Sequence, residues 1–241
     1  RIYADSEAEK IRTNAEEKSE KIIFKAKQQS EKLVQKEEIV KKASEQSERI
    51  ILDSEEIYEG GLGIFEGNVY INCQGTIIDL LGGGGIWLFA DEYYTANLDI
   101  EYCTIFNGET SGLNFMGIST GNISNCNFIS NDIGLVLMDQ SHATLKNSNF
   151  IDNETYGLGL ITEEPVLEVS YSNFWENSEG DCMENCPGWG NIWTPWEPEP
   201  GTGIIYENPL FENLNNLNFN LTDNSPCIDA GNPDDADSDG S

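Results

Sequence analysis

The sequence predicts a mainly β fold in which short strands stack in successive turns, because one pattern recurs between about Leu98 and Asn177. Each copy reads apolar-x-x-Cys/Ser-x-Phe/Ile-x-x-Asn/Gly, and its small residue recurs at spacings of 23, 22 and 24 residues. A Gly-Leu pair follows in three copies, and Gly180 is expected to close that row. The four positions are occupied as follows: apolar, Ile100, Ile123, Leu145 and Val169; small, Cys103, Cys126, Ser148 and Ser172; large, Ile105, Phe128, Phe150 and Phe174; turn, Gly108, Asn131, Asn153 and Asn177.

This repeat is too often interrupted by Asn and Gly to form helices, whereas the β-branched and aromatic residues between those interruptions favour strands. One unit cannot bury its apolar face alone, so neighbouring units must stack. Alternation turns one side of each strand inward, and Asn and Gly tolerate the left-handed backbone of sharp corners. A column of Asn side chains can also form hydrogen bonds from one turn to the next. The pattern therefore predicts a right-handed parallel β-helix, which we assign to residues 58–241.

Charge divides the chain into two parts near Ile51. Residues 1–50 hold 12 of the 13 Lys and Arg residues against 11 acids, whereas residues 51–241 hold only Lys146 against 32 acids. Phosphate binding needs clustered cations, so the second part is a poor partner for nucleic acid. Its expected counter-ions are cations, above all Ca²⁺, although acidity that only keeps a surface protein soluble is an equal alternative. No apolar run reaches the roughly 18 residues of a membrane span, and the start at Arg1 predicts a fragment or a processed product.

Residues 1–57 contain no Gly or Pro and are rich in Glu, Lys, Ala and Ser, which predicts one long α-helix. Ala8–Ile11 recurs as Ser19–Ile22 and Ser30–Leu33, an 11-residue period typical of a straight or slightly right-handed coiled coil. The apolar seam is weak, so we expect the helix to pair, either in a homo-oligomer or with a partner helix. A solvated single helix is the alternative. In composition and period alone, the segment resembles helical stalks of the ATP-synthase stator kind.

Two regions resemble known β-helix proteins. Residues 69–79 (VYINCQGTIID) and the glycine-rich turn at Gly82–Gly85 resemble the opening turn of secreted proteins of the pectate-lyase-like superfamily. Residues 208–211 (NPLF) and 225–233 (SPCIDAGNP) resemble the terminal module of bacterial and archaeal secreted right-handed β-helix proteins. The resemblance covers roughly residues 60–241 and implies an extracellular or cell-surface location. It implies no activity, because the fold hosts lyases, hydrolases, adhesins and structural proteins alike.

The six cysteines fall into two groups. Cys73, Cys103 and Cys126 share an inward column, and we interpret them as buried thiols that act as small apolar fillers, since serine replaces them in later turns. The second group lies in a loop and in the terminal module, and one disulfide is expected among its members in a secreted protein. Zinc is a weaker alternative, because four ligands are needed and the only histidine, His142, is distant in sequence. The disulfide candidates are Cys182, Cys186 and Cys227.

Two C-terminal segments contain candidate binding residues. Flat aromatic rings stack on sugars, so a loop with three closely spaced tryptophans is a candidate carbohydrate site, with the same rings folded onto the barrel side as the alternative. The tail reads Asp-x-Asp-x-Asp-Gly, which matches the first half of a calcium loop in which alternate acids face one ion. The candidate residues are Trp189, Trp193 and Trp196 for a glycan, and Asp235, Asp237 and Asp239 for Ca²⁺.

Catalysis has little support in the sequence. Pectate lyases of the resembled superfamily use an Arg as base, and no Arg follows Arg49. Hydrolysis of the polygalacturonase kind needs a cluster of carboxylates about 5–10 Å apart. The acid–base candidates are Asp132, Asp152 and Glu154 at neighbouring turns, and Asp139 with His142 as half of an acid–base pair.

We therefore expect a non-catalytic extracellular or cell-surface β-helix protein that serves adhesion, display or assembly. Residues 1–57 would be its stalk or oligomerisation segment, and Ca²⁺ its stabilising ion. A polysaccharide-binding or polysaccharide-degrading β-helix protein is the second candidate. A fibre-like trimeric structural protein, suggested by a helix that leads into β structure, is the third.

Overall fold

The computed structural model describes residues 48–53, 56–162, 164–186, 192–195, 198 and 202–233. Within them the chain winds through three sheets of parallel strands, called A, B and C, and visits the sheets in that order in every turn. A fourth, two-stranded sheet follows near the C-terminus. No helix in this described part is both long and apolar enough to cross a membrane.

The strands are numbered in chain order. Sheet A consists of β1 (Glu48–Ile51), β4 (Gly67–Asn72), β7 (Ala96–Glu101), β10 (Thr120–Ser124), β13 (His142–Lys146) and β16 (Val166–Ser170). Sheet B consists of β2 (Ile57–Glu59), β5 (Ile77–Gly83), β8 (Thr104–Gly108), β11 (Asn127–Ile129), β14 (Asn149–Ile151) and β17 (Asn173–Trp175). Sheet C consists of β3 (Leu62–Ile64), β6 (Ile86–Ala90), β9 (Leu113–Gly117), β12 (Ile133–Met138), β15 (Tyr156–Ile161), β18 (Gly180–Cys186) and the antiparallel β19 (Ile192–Pro195). The C-terminal hairpin is formed by β20 (Phe211–Asn213), a 3-10 turn (Leu214–Asn216) and β21 (Asn218–Leu221).

The strand register confirms the predicted columns. In sheet A, Ile123 pairs with Ile100 on one side and with Leu145 on the other. In sheet B, Phe150 pairs with Phe128 and Phe174. Because equivalent residues of successive repeats lie directly above one another, the prediction of a right-handed parallel β-helix is confirmed.

The inner faces of the three sheets enclose one continuous apolar core. Phe128, Phe150 and Phe174 are at most 1% exposed and form a stack. The ring centres of Phe128 and Phe150 are 4.7 Å apart, and those of Phe150 and Phe174 are 5.0 Å apart. Complete burial of a phenylalanine side chain stabilises a fold by about 1.5–3 kcal/mol, so this stack is a major source of stability in the later turns.

A ladder of asparagines connects the turns between sheets B and C. Asn131 Oδ1 accepts a hydrogen bond from the Gly108 N–H at 2.9 Å, and Asn153 Oδ1 accepts one from the Asn131 N–H at 3.1 Å. Each side-chain NH₂ also donates to a carbonyl of an earlier turn, as Asn131 Nδ2 does to Ile105 O at 3.1 Å. The expected hydrogen bonding from turn to turn is therefore confirmed. These bonds satisfy polar groups that are fully buried, which otherwise would cost stability.

The glycine row that follows this ladder is confirmed except at its last position. A Cβ on Gly134 would lie 2.5 Å from Gly157 O, so the close approach of successive turns requires glycine there. Gly180, however, pairs with Tyr156, and Asp181 lies opposite Gly157 instead. The Asp181 carboxylate accepts a hydrogen bond at 2.9 Å from the side-chain NH₂ of Asn177, the last asparagine of the ladder. The acid that replaces glycine in this turn therefore has a hydrogen-bond partner.

The described chain begins with a strand where a helix was expected. Strand β1 pairs in parallel with β4, and the Arg49 guanidinium lies 5.0 Å from the centre of the Tyr70 ring. The prediction of a helix to residue 57 and a β-helix from residue 58 is therefore wrong at this boundary. Ile50 packs against the core, and pairing with the first edge of the sheet outweighs the helical preference of the flanking charged residues. The rest of the predicted helix, residues 1–47, lies outside the described residues.

Cys73 and Cys103 form a disulfide between adjacent turns, with their Cα atoms 4.8 Å apart. The interpretation of this column as thiols is wrong for these two residues and confirmed for Cys126, which is free and fully buried. Parallel stacking explains the bond, because it holds one column at a spacing within the roughly 4.4–6.8 Å that a disulfide spans.

Residues 202–233 return across the outer face of sheet B. Ile205 forms a parallel bridge with Asn173, in the last turn of the sheet. Further along, the Phe219 ring of the hairpin lies 6.3 Å from the Phe106 ring, which belongs to an early turn. The C-terminal segment therefore spans several turns of the β-helix and covers side chains that would otherwise face solvent.

Candidate functional site

The outer face of sheet B carries two columns of side chains beneath the C-terminal segment. Side chains alternate along a strand, so the neighbours of the buried phenylalanines point outwards. One outward column is apolar, and its members Ile129 and Ile151 are only 2% and 3% exposed because the C-terminal segment covers this face. The other, which we call the polar column, consists of Thr104, Asn127, Asn149 and Asn173.

Hydrogen bonds run along the polar column from turn to turn. Asn127 Nδ2 donates to Thr104 Oγ1 at 3.1 Å, and Asn149 Nδ2 donates to Asn127 Oδ1 at 2.8 Å. At the far end the Cys227 thiol inserts between two amides, 3.4 Å from Asn173 Nδ2 and 3.7 Å from Asn149 Oδ1. The C-terminal segment thus closes the column at Asn149 and Asn173 and leaves its other end uncovered.

A groove of about 370 Å³ lies at that uncovered end, between sheet B and the C-terminal hairpin. The volume falls within the roughly 300–1,000 Å³ of small-molecule sites, near the lower limit. The corner between sheets A and B forms one wall, and β21 forms the other. The groove is lined on its floor by Thr104 and Asn127, on the first wall by Tyr102 and Asn125, and on the second wall by Phe219 and Asn220.

Backbone geometry at the corner aims the first wall at the groove. Tyr102 and Asn125 have φ of 54° and 53°, and the same left-handed conformation recurs at this corner in other turns. Asparagine tolerates that conformation, whereas tyrosine is uncommon there. The Tyr102 carbonyl is held by the Gly75 N–H at 2.8 Å, and its side chain is 46% exposed. The fold therefore fixes the backbone from which the half-exposed Tyr102 side chain extends.

Three polar side chains on the walls lack hydrogen-bond partners among the described residues: the Tyr102 hydroxyl and the amides of Asn125 and Asn220. Their neighbour Asn218 differs, since its amide donates to Glu212 Oε2 at 2.9 Å and its oxygen accepts from the Asn220 N–H at 3.1 Å. Glu56 is the one charged side chain among the described residues that line the groove. Donors and acceptors without charge suit a neutral polar ligand.

The predicted carbohydrate and calcium residues fall largely outside the described part of the chain. Trp189, Trp196, Asp235, Asp237 and Asp239 are not among the described residues. For Trp193 only the backbone is described, in β19, where it pairs with a residue of β18. Both sites stay predictions. The described residues contain no group of three or more His, Cys, Asp or Glu side chains that could hold a metal ion.

The disulfide candidates are separated in the described structure as far as their side chains are known. Cys182 is buried and lies opposite Leu158 in sheet C. For Cys186 the backbone alone is described, at the end of β18. Cys227 occupies the polar column on sheet B, as described above. A disulfide within this group stays a prediction.

Two of the carboxylates considered for acid–base catalysis, Asp132 and Asp139, accept hydrogen bonds from neighbouring turns. Asp132 Oδ1 accepts a hydrogen bond from the Thr155 hydroxyl at 2.9 Å, so this carboxylate joins two turns. Asp139 Oδ2 accepts from the Gly117 N–H at 3.1 Å, while His142 is exposed on the outer face of sheet A.

Burial changes the acidity of two thiols. Desolvation raises the pKa of Cys126 from 9.0 to about 12, despite hydrogen bonds from backbone groups that act in the opposite direction. Desolvation also raises the pKa of Cys227, against hydrogen bonds with Ser225 and Asn173 that lower it. Both thiols therefore stay protonated near neutral pH, which makes them poor nucleophiles.

A single chain that winds through three parallel sheets around a stacked apolar core is a parallel β-solenoid. A family model described as "right handed beta helix region" matches residues 48–193, and the chain therefore belongs to the right-handed β-helix family. No curated protein and no solved structure matches the chain. The likeness to the pectate-lyase-like superfamily and the terminal module rest on sequence resemblance and stay predictions.

The groove was missed at the sequence level, although part of its signal was visible. An Asn-Phe pair recurs at Asn127, Asn149 and Asn173, and its asparagine predicts a second, outward-facing polar column. What covers that column depends on where residues 202–233 fold, and no local pattern encodes that position.

Proposed function

We propose that this protein is a non-catalytic β-helix protein that works outside the cytoplasm, in the extracellular space or at a cell surface, in adhesion, display or assembly. The observation that carries the proposal is the Cys73–Cys103 disulfide between the second and third turns. Disulfides persist in oxidising compartments and are rare in reducing ones. The resemblance of residues 69–79 and 225–233 to secreted proteins supports the same location.

The chemistry of the groove supports binding over catalysis. Glycoside hydrolysis needs two carboxyl groups across the scissile bond. Glu56 is the one carboxylate among the described residues that line the groove, and the remaining polar groups there are amides and hydroxyls. Such groups hold and orient a ligand without transferring protons at neutral pH.

The charge of the chain supports Ca²⁺ as a stabilising ion. Residues 51–241 carry 32 acids and only Lys146 as a base, and this imbalance produces self-repulsion that bound cations relieve. Ca²⁺ accepts six to eight oxygen ligands in flexible geometry, which suits dispersed carboxylates. A homo-oligomer or a partner protein that contacts residues 1–47, which lie outside the described residues, would supply the assembly role.

Two measurements on the full chain test this proposal. In the organism that makes the protein, thiols are blocked before lysis, and we expect the Cys73 and Cys103 peptides to be recovered disulfide-linked from the surface or medium fraction. Purified protein is then applied to surfaces that the organism contacts, with release of reducing sugars and unsaturated products followed in parallel. Reduced cysteines in a cytoplasmic fraction would contradict the location. Release of products from a polysaccharide would replace adhesion by the polysaccharide-degrading alternative.

A further inference from the structure

We propose that the groove between Tyr102 and β21 binds a neutral hydroxylated ring, namely a unit of an uncharged glycan. The proposal rests on the proposed function, because it names the class of ligand that an adhesive β-helix would take at this site. It places the ligand at the corner of sheets A and B, on residues other than the tryptophans that the sequence suggested as a carbohydrate site.

Three residues that line the groove carry polar side chains without hydrogen-bond partners among the described residues. Tyr102 offers a hydroxyl, and Asn125 and Asn220 each offer an amide donor and an amide acceptor. A sugar ring carries hydroxyl groups that donate and accept in pairs, so it can satisfy amides on both walls at once. A hydrocarbon ligand would leave these groups desolvated and unpaired, which costs free energy.

Each wall of the groove includes an aromatic residue, Tyr102 on the first wall and Phe219 on the second. The Phe219 ring contacts the rings of Phe106 at 6.3 Å and Phe211 at 5.7 Å, and the Tyr102 side chain extends from a backbone that is fixed at the corner. Rigid aromatic faces next to amides provide apolar surface for the C–H face of a sugar ring and hydrogen bonds for its rim. Because ring contacts position Phe219 before binding, little conformational entropy is lost in ordering that side chain.

The negative charge around the groove favours neutral over acidic glycans. Glu56 lies on the wall, and the surrounding domain holds 32 acids against Lys146. A uronate or sulfate would meet a negative field and no cation among the described lining residues. Such repulsion is strongest at low ionic strength and is screened by salt. A neutral oligosaccharide avoids it entirely.

Calorimetric titration of the full chain tests the proposal, with short gluco-, manno- and galacto-oligosaccharides as neutral probes and oligogalacturonate as the acidic one. The groove variants are Tyr102→Asn, which keeps a residue that tolerates left-handed backbone, and Asn220→Ala. Tyr94→Ala is the matched control, since Tyr94 is 56% exposed and lies outside the groove lining. Melting temperatures of all variants verify that each one folds.

We expect at least one neutral probe to bind, each groove variant to weaken binding roughly tenfold or more, and the control to bind like the parent. The acidic probe should bind more weakly, by a margin that shrinks as salt is added. Equal binding by folded groove variants, tighter binding of the acidic probe, or no binding of any neutral probe would overturn the groove as a glycan site. If the parent still adheres to surfaces in those cases, the proposed function stands and its contact lies elsewhere. If the parent does not adhere at all, the proposed function itself is wrong.

Discussion

Replacing Phe150 by alanine tests the stacked core most directly. The side chain is 0% exposed, and its ring lies between Phe128 at 4.7 Å and Phe174 at 5.0 Å. Truncating a buried phenylalanine costs about 3–5 kcal/mol, and each lost ring contact accounts for about 0.5–1.5 kcal/mol of coupling. We therefore expect Phe150→Ala to lower the free energy of unfolding by about 4–5 kcal/mol. Phe128→Ala should cost about 3–4 kcal/mol, because its other neighbour in the column is Ile105 and not an aromatic ring.

Urea denaturation of the full chain, monitored by circular dichroism, measures the free energy of unfolding of both variants. We expect its dependence on urea concentration to stay unchanged. Phe89→Ala is the control, since Phe89 lies on the outer face of sheet C and is 39% exposed, and it should cost less than about 1 kcal/mol. A Phe150→Ala protein that unfolds at the same urea concentration as the parent would refute the stacking argument. A larger loss for Phe128→Ala than for Phe150→Ala would refute the assignment of the second ring contact.

Four further predictions concern the cysteine column, pH, assembly and calcium. Cys73→Ser should lead to a disulfide between Cys103 and Cys126, since the column holds all three at turn spacing, and peptide mapping without reduction detects it; finding two free thiols would contradict this. Because burial raises the pKa of Cys126 to about 12, the folded protein keeps a proton that the unfolded chain loses above pH 9.0, so stability should fall as pH rises above that value, less steeply in Cys126→Ser. Aspartate at the three apolar positions of the 11-residue period should dissolve any oligomer and leave the β signal intact, whereas a parent that is monomeric at high concentration would disprove the seam; the positions are Ile11, Ile22 and Leu33. Millimolar Ca²⁺ should raise the melting temperature more than NaCl of equal ionic strength does. At a hundredfold excess over the dissociation constant, binding adds about 2.7 kcal/mol to the free energy of unfolding. Equal shifts in the two salts would mean screening alone.

The repeating part of the fold was predictable because each turn repeats the same pattern of apolar, small and turn-forming residues. The inward columns, the asparagine ladder and most of the glycine row recur at a spacing that one turn imposes, so alignment of the repeats already indicates which residues stack. The prediction failed where a column carried a second chemistry, as at Cys73 and Cys103. Spacing placed these two sulfur atoms in one column, but serine at the same position in later turns favoured a packing role.

The first strand shows a different limit. Local composition around Arg49 and Ile50 favours a helix, and the strand forms because an unpaired sheet edge and the core lie beside it. Such a contact between distant residues outweighs a preference of a few tenths of a kcal/mol per residue.

By itself, the sequence determined the class of fold, the register of the stacked strands and the strongly negative charge of residues 51–241. Those properties follow from periodicity and composition, which are local or additive. Only the tertiary structure decided that the Cys73 and Cys103 sulfurs are bonded and that Tyr102 and Asn220 line opposite walls of one groove. Tyr102 and Asn220 are more than a hundred residues apart in the chain, and the path of the C-terminal segment over sheet B depends on contacts between distant residues, such as that of Phe219 with Phe106.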